Sequence, residues 1–139
     1  MSTEAENVEI LKNAYSQWAG KKAADLGCWN SVMADDIVFS SLAQGAPGAE
    51  FSRARSGKAG AIGYLEELTR DWSMISYVVD EYIAQGDRVV AVGSTSWTNK
   101  KTGKTASTQK VDIWRMRNGK AVEFMEFYDT ANLIAAATP

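Results

Sequence analysis

The sequence predicts an α+β domain in which three helices from the N-terminal half pack on a curved antiparallel sheet. Apolar residues recur at helical spacing in the first half of the chain. The segments between Ser73 and Tyr128 are rich in β-branched and aromatic residues, and turn signals such as Asn118-Gly119 separate them. At 139 residues the chain is the size of one domain, spanning 1–139, and a chain of this length buries roughly two-thirds of the surface it exposes when unfolded. Neither an internal repeat nor a linker interrupts it.

Thr3 followed by Glu6 reads as a capping box, and Val8, Leu11, Ala14, Tyr15 and Trp18 then share one helical face before Gly20 ends the pattern. A second helix is predicted over 23–33, with Leu26, Trp29, Val32 and Met33 as its apolar side. Ile37, Val38 and Phe39 form a short strand. Residues 42–57, rich in Gly, Ala and Ser and holding Pro47, read as a loop or irregular hairpin with a short strand at 50–55. A third helix covers 58–71 on the spacing of Ile62, Leu65, Leu68 and Trp72. Strands then follow at 73–85, 88–98, 105–117 and 120–128, with Asn118-Gly119 as a tight hairpin turn between the last two. A terminal helix is predicted at 130–137.

Composition narrows the chemistry. The chain has no histidine, which removes Ser/His/Asp triads, Cys/His pairs and His-ligated metal sites, since each needs an imidazole. Cys28 is the single cysteine, too few for a disulfide or a two-thiolate metal site, and reads as a small buried residue. The glycines at 57, 60 and 63 match no phosphate-binding loop. A formal net charge of −2 speaks against nucleic acid, and Lys100, Lys101 and Lys104 sit in a turn. No apolar run spans a bilayer, and the opening residues MSTEAENVE lack a leader pattern, so no membrane partner and a cytoplasmic location are expected.

Three local patterns, MADDIVF after the second helix, the RNGKAVEF hairpin and the terminal EFYD, occur in an element order that resembles the NTF2-like superfamily, and within it the SnoaL-like and ketosteroid-isomerase-like branch. The resemblance covers nearly the whole chain and implies a cone-shaped fold with an internal pocket and no cofactor. It places Tyr15, in LKNAYSQW, where ketosteroid isomerases carry an oxyanion-hole tyrosine, and Asp112, in QKVDIWRM, where they carry a protonated aspartic acid. Their proton-moving carboxylate falls at Ser41, and a serine without histidine cannot replace it.

The residues themselves leave two roles open for Asp112. Flanked by Val111 and Ile113, its carboxyl is pushed towards the neutral form, a donor able to stabilise an enolate beside Tyr15; alternatively it pairs with Lys110, two residues earlier on the same strand face. Glu126 shares a face with Phe124 and Tyr128 by alternation and is the best substitute base, or else a rim ion pair. Arg53 and Arg55 read as rim residues, or else as anchors for an acidic substrate group, and Asp129 matches an active-site carboxylate of the related limonene epoxide hydrolases, whose Arg and Asp partners have no counterparts in 93–97. Trp18, Trp29, Phe39, Ser41, Tyr64, Trp97, Trp114, Phe124 and Tyr128 are the expected binding residues, the aromatics being numerous enough to line a pocket for a small apolar molecule.

Four readings are therefore in competition: a cofactor-free isomerase, cyclase or lyase working next to a carbonyl, a non-catalytic binding module for a hydrophobic metabolite, an epoxide hydrolase using Asp129, and a dimeric scaffold with a filled core and no cavity. Apolar residues on both faces of the last two strands further predict that a second copy of the chain covers the outward face of the sheet.

Overall fold

The computed structural model describes residues 3–139. Helix α1 (Thr3–Gly20) is followed by α2 (Gly27–Asn30), strand β1 (Met33–Ser41), a 3-10 turn at Glu50–Ser52, the short β2 (Arg55–Ser56) and helix α3 (Lys58–Asp71). Four long strands, β3 (Trp72–Gln85), β4 (Arg88–Asn99), β5 (Thr105–Arg117) and β6 (Lys120–Tyr128), then run as a meander, and α4 (Thr130–Ala137) closes the chain. The sheet order is β2-β1-β6-β5-β4-β3, antiparallel throughout except that β1 lies parallel to β6. This is an NTF2-like α+β cone, with helices gathered on the concave face. Among the described residues no helix is long and apolar enough to cross a membrane.

Helix α1 buries Asn7, Leu11, Ala14, Tyr15 and Trp18, a stripe at helical spacing that faces the sheet. Thr3 stands inside the helix, not before it as a cap. The second helix is one turn, not the eleven residues that the spacing predicts. Lys22 and Ala23 take left-handed backbone angles, and Asp25 Oδ1 accepts the Gly27 N–H at 2.8 Å, so a side chain competes with helix formation where glycine already disfavours it. Val32 and Met33 then turn towards the sheet, where Met33 pairs with Ala121. Glu50 to Ser52 is likewise a 3-10 turn where a strand is expected, because Glu50 folds back to accept the Gly48 N–H at 2.9 Å.

Curvature comes from bulges. Register shifts lie between Met74 and Ser76 and between Val79 and Glu81 on β3, and opposite Arg115 and Met116 on β6, where Val122 is the extra residue, each adding bend and twist to its strand. Gly93 on β4 faces the second bulge, and a Cβ there would fall on the Val78 carbonyl oxygen. Gly93→Ala should therefore cost about 2 kcal/mol or more of stability, since overpacking against backbone cannot relax by a rotamer change. The urea unfolding midpoint measures it, and a midpoint equal to wild type would show that the bulge is not fixed by this contact.

Candidate functional site

The long strands alternate, so Thr108, Lys110, Asp112 and Trp114 of β5 and Phe124, Glu126 and Tyr128 of β6 point to the concave side, with Phe39 and Ser41 of β1 beside them. Register brings the polar members together: Asp112 is opposite Glu126, and Ser41 is opposite Glu126 from the other side. Ala91 and Gly93 of β4 are the register partners of Asp112 and Lys110 on the other side of β5. Helices α1 and α3 close the hollow with Tyr15, Trp18, Tyr64, Leu65 and Leu68.

The result is a cavity of about 70 Å³ whose walls are mostly aromatic, larger than the roughly 15 Å³ that one water requires. Trp29 stacks on Trp114 with ring centroids 5.3 Å apart, and Phe39 stacks on Phe124 at 4.2 Å. Tyr15, Trp18, Trp29, Phe39, Tyr64, Trp97, Trp114, Phe124 and Tyr128 all line it, as do Asp112 and Glu126. Ser41 is buried behind this wall and reaches the cavity through its hydrogen bonds.

One polar network runs through the aromatic shell. Tyr15 donates to Asp112 Oδ2, Tyr77 donates to the same oxygen at 2.8 Å, and Lys110 Nζ contacts Oδ1. Trp114 Nε1 donates to the Tyr15 hydroxyl at 2.9 Å. Lys110 Nζ also lies 2.7 Å from Glu126 Oε2 and donates to the Tyr77 hydroxyl at 2.8 Å. Glu126 Oε1 accepts from Tyr64 and from Ser41 Oγ at 3.0 Å, and Ser41 Oγ lies 2.6 Å from the Tyr128 hydroxyl. Among the described residues no buried side-chain nitrogen or oxygen lacks a partner, which is what allows such groups to sit in an apolar hollow.

Burial shapes the titration of this network. It pushes the Glu126 carboxyl up to about 8, against a lowering by the Ser41 hydroxyl. It pulls the Lys110 ammonium below its ordinary value, against the raising effect of Asp112. The Tyr15 and Tyr77 hydroxyls are held well above the usual phenol range by burial first and by Asp112 second, so both remain donors.

Of the two roles open for Asp112, the pairing with Lys110 is present, and it coexists with the Tyr15 contact. Glu126 is buried in the cavity wall and not on a rim. Arg53 is a rim residue, exposed and paired with Glu67 at 3.0 Å, but Arg55 is not. Its side chain is 9% exposed, lies 2.6 Å from Glu67, and props the loop by donating to the Phe51 carbonyl. Asp129 is exposed, outside the cavity lining, and caps α4 by accepting the Asn132 N–H at 3.0 Å. The residues that sequence reasoning missed are Tyr77, hidden in a strand whose alternation two bulges disrupt, and Lys110 as a cavity group, which only its place in the inward series of β5 could have flagged.

A SnoaL-like domain model matches residues 12–124. The chain belongs to the SnoaL-like family. Similar solved structures include an NTF2-like protein of unknown function from Burkholderia pseudomallei, 24% identical over all of both chains with a TM-score of 0.83. TerC, co-crystallised with polyporic acid, is 26% identical over 95% of this chain and 98% of its own, with a TM-score of 0.78. A protein with a ketosteroid isomerase-like fold from Catenulispora acidiphila, in complex with trimethylamine, is 14% identical over 94% and 98% with a TM-score of 0.75. A search of curated proteins returned no match.

The raised Glu126 carboxyl has a consequence for stability. A carboxyl that titrates near 4.5 when free and near 8 when folded holds a proton in the folded chain that the unfolded chain releases. This contribution is full below about 4.5 and is lost as pH rises to about 8. The stability difference between wild type and Glu126→Gln should therefore move against wild type across that window, as read from urea midpoints at about pH 5 and about pH 8. A difference that does not change with pH would show that Glu126 is an ordinary carboxylate.

Proposed function

We propose that this chain is a cofactor-free enzyme of the isomerase, cyclase or lyase kind, moving a proton next to a carbonyl group in a small, largely apolar substrate. The observation that carries this reading is the position of Glu126. It is the register neighbour of Ser41, 3.0 Å from Ser41 Oγ, and faces the cavity that Tyr15 and Asp112 also face. The proton-moving carboxylate that is absent at Ser41 is thus supplied from the adjacent strand.

In this reading Glu126, whose carboxyl is pushed up to about 8 by burial, takes a proton from carbon and returns it elsewhere. Tyr15 remains a donor at neutral pH and has a fixed direction because Trp114 donates to its oxygen. A substrate oxygen seated here competes with Asp112 for the Tyr15 O–H. A proton passed from Lys110 across their contact would make Asp112 a second donor to that oxygen. Apolar walls exclude water and strengthen each of these interactions. The co-crystallised organic molecules of the two relatives above support a small-molecule occupant. Epoxide hydrolysis by Asp129 has no support, since that side chain is spent on the helix cap.

The test uses 2-naphthol as a phenolic oxyanion mimic, followed by quenching of the tryptophans in the wall. Tyr15→Phe and Asp112→Asn should each weaken its binding roughly tenfold, about 1.4 kcal/mol, as expected for a hydrogen bond to a charged oxygen. Glu126→Gln should bind the mimic but fail to exchange the α-protons of cyclohexenone into deuterated water. Unchanged affinity in both oxyanion variants removes the enzymatic reading. Tight binding of the mimic without exchange by wild type leaves a binding module.

We also propose a second copy of the chain over the outward sheet face, where Val38, Val78 and Phe127 are 48%, 49% and 37% exposed. Sedimentation should give a dimer that Phe127→Glu converts to monomer. A wild type that sediments as a monomer at micromolar concentration overturns it.

A further inference from the structure

The lysine in the cavity wall has no part in the reading above beyond lending Asp112 a proton, yet it is the most unusual group there. Its side chain is 10% exposed, and its Nζ faces the same hollow as the aromatic walls. The other described lysines that form ion pairs, Lys21 and Lys58, are 56% and 30% exposed. Lys110 Nζ rests between two carboxyls, in contact with Asp112 Oδ1 and 2.7 Å from Glu126 Oε2. The ammonium also lies 5.6 Å from the Phe124 ring centroid and 5.2 Å from that of Tyr77.

We propose that Lys110 is an imine-forming residue, capturing apolar aldehydes or ketones that enter the cavity as a covalent iminium. Its amine stands on the cavity wall with an acid–base group, Glu126, within one hydrogen bond. Burial acts on the two partners in opposite senses, raising the carboxyl and lowering the ammonium, so that one proton can rest on either. A desolvated lysine that can give up its proton locally is a nucleophile, as in amine-catalysed carbonyl chemistry.

The step balances without another reactant. The Lys110 ammonium passes a proton to the Glu126 carboxylate, and the freed lone pair forms the N–C bond as the carbonyl π pair moves to oxygen. Glu126 returns its proton to that oxygen, giving a carbinolamine. A second N–H proton then travels by the same carboxyl to the hydroxyl, which leaves as water, and the nitrogen lone pair closes the C=N bond. One ammonium and one carbonyl become one iminium and one water. The iminium would draw electrons from the neighbouring carbon, next to the carboxylate that Glu126 has become again. The inference shares the cavity with the enolate reading but does not depend on the oxyanion role of Tyr15.

The test is reductive trapping of the intact protein with benzaldehyde and cyanoborohydride at neutral pH, followed by peptide mapping. Lys110 should be alkylated roughly tenfold or more faster than any surface lysine, because the apolar wall holds the aldehyde beside its amine and burial favours the neutral form. K110R, which keeps the charge, should lose this fast adduct and retain the slow surface ones. As a check independent of that variant's folding, 2-naphthol should slow labelling at Lys110 in wild type and leave surface labelling unchanged. Labelling that spreads over surface lysines with Lys110 no faster overturns the proposal; if 2-naphthol still binds, the enolate reading survives that result. If 2-naphthol also fails to bind, both fall.

Discussion

Three ionisable side chains, Lys110, Asp112 and Glu126, share one apolar hollow, and that is tolerable only because they reach one another. Isolated charges in such surroundings cost several kcal/mol each after relaxation, and an ion pair offsets this only when its remaining lone pairs and protons are also engaged. Here every partner is present: four hydroxyls and an indole N–H complete the set around the lysine and two carboxyls. The constraint reaches outward to the sheet. A shift of one residue on β5 would send Lys110 and Asp112 to the outward face, so the register between β5 and β6 and the electrostatics of the cavity specify each other.

Much of this architecture was legible in the sequence because its signals are local. The Asn118-Gly119 turn has φ of 51° and 77° at its two residues, the pair of positive angles that a two-residue hairpin needs and that this dipeptide adopts readily. The limits of α3, β5, β6 and α4 follow from similar short-range cues. The parallel pairing of β1 with β6 was not legible, since it joins residues 85 apart, Ser41 and Glu126, and no turn chemistry announces such a contact. The collapse of the second helix to one turn was hidden for a different reason. The helical spacing of Leu26, Trp29, Val32 and Met33 is real, but the sheet has a use for Met33 and the Asp25 carboxylate takes the N–H that the helix would have kept inside.

The candidate site divides in the same manner. Tyr15 and Asp112 were found through resemblance, and alternation alone placed Glu126 with Phe124 and Tyr128. Tyr77 escaped because β3 carries two bulges, and each bulge flips the parity by which inward residues are counted. Lys110 was visible only as a neighbour of Asp112 on its own strand. Its second contact, to Glu126, crosses to another strand and depends on a long side chain leaning over the pleat, which a period-two reading does not encode.

Moving a carboxylate from one strand to the next changes more than its address. Neighbouring strands lie about 4.8 Å apart, so a carboxylate on β6 stands closer to β5, and hence to Lys110 and Asp112, than one on β1 would. The aspartate and the glutamate that would move protons, register partners on β5 and β6, are thereby tied through a single ammonium. A proton taken up by Glu126 alters the balance of charge felt by Lys110, and through it by Asp112. In this arrangement the Asp112 and Glu126 sides of the cavity are electrostatically coupled, and Ser41 has a structural reason to be a serine. A second carboxylate at that position would face Glu126 at hydrogen-bond distance, adding a like charge to a hollow that has one cation to share.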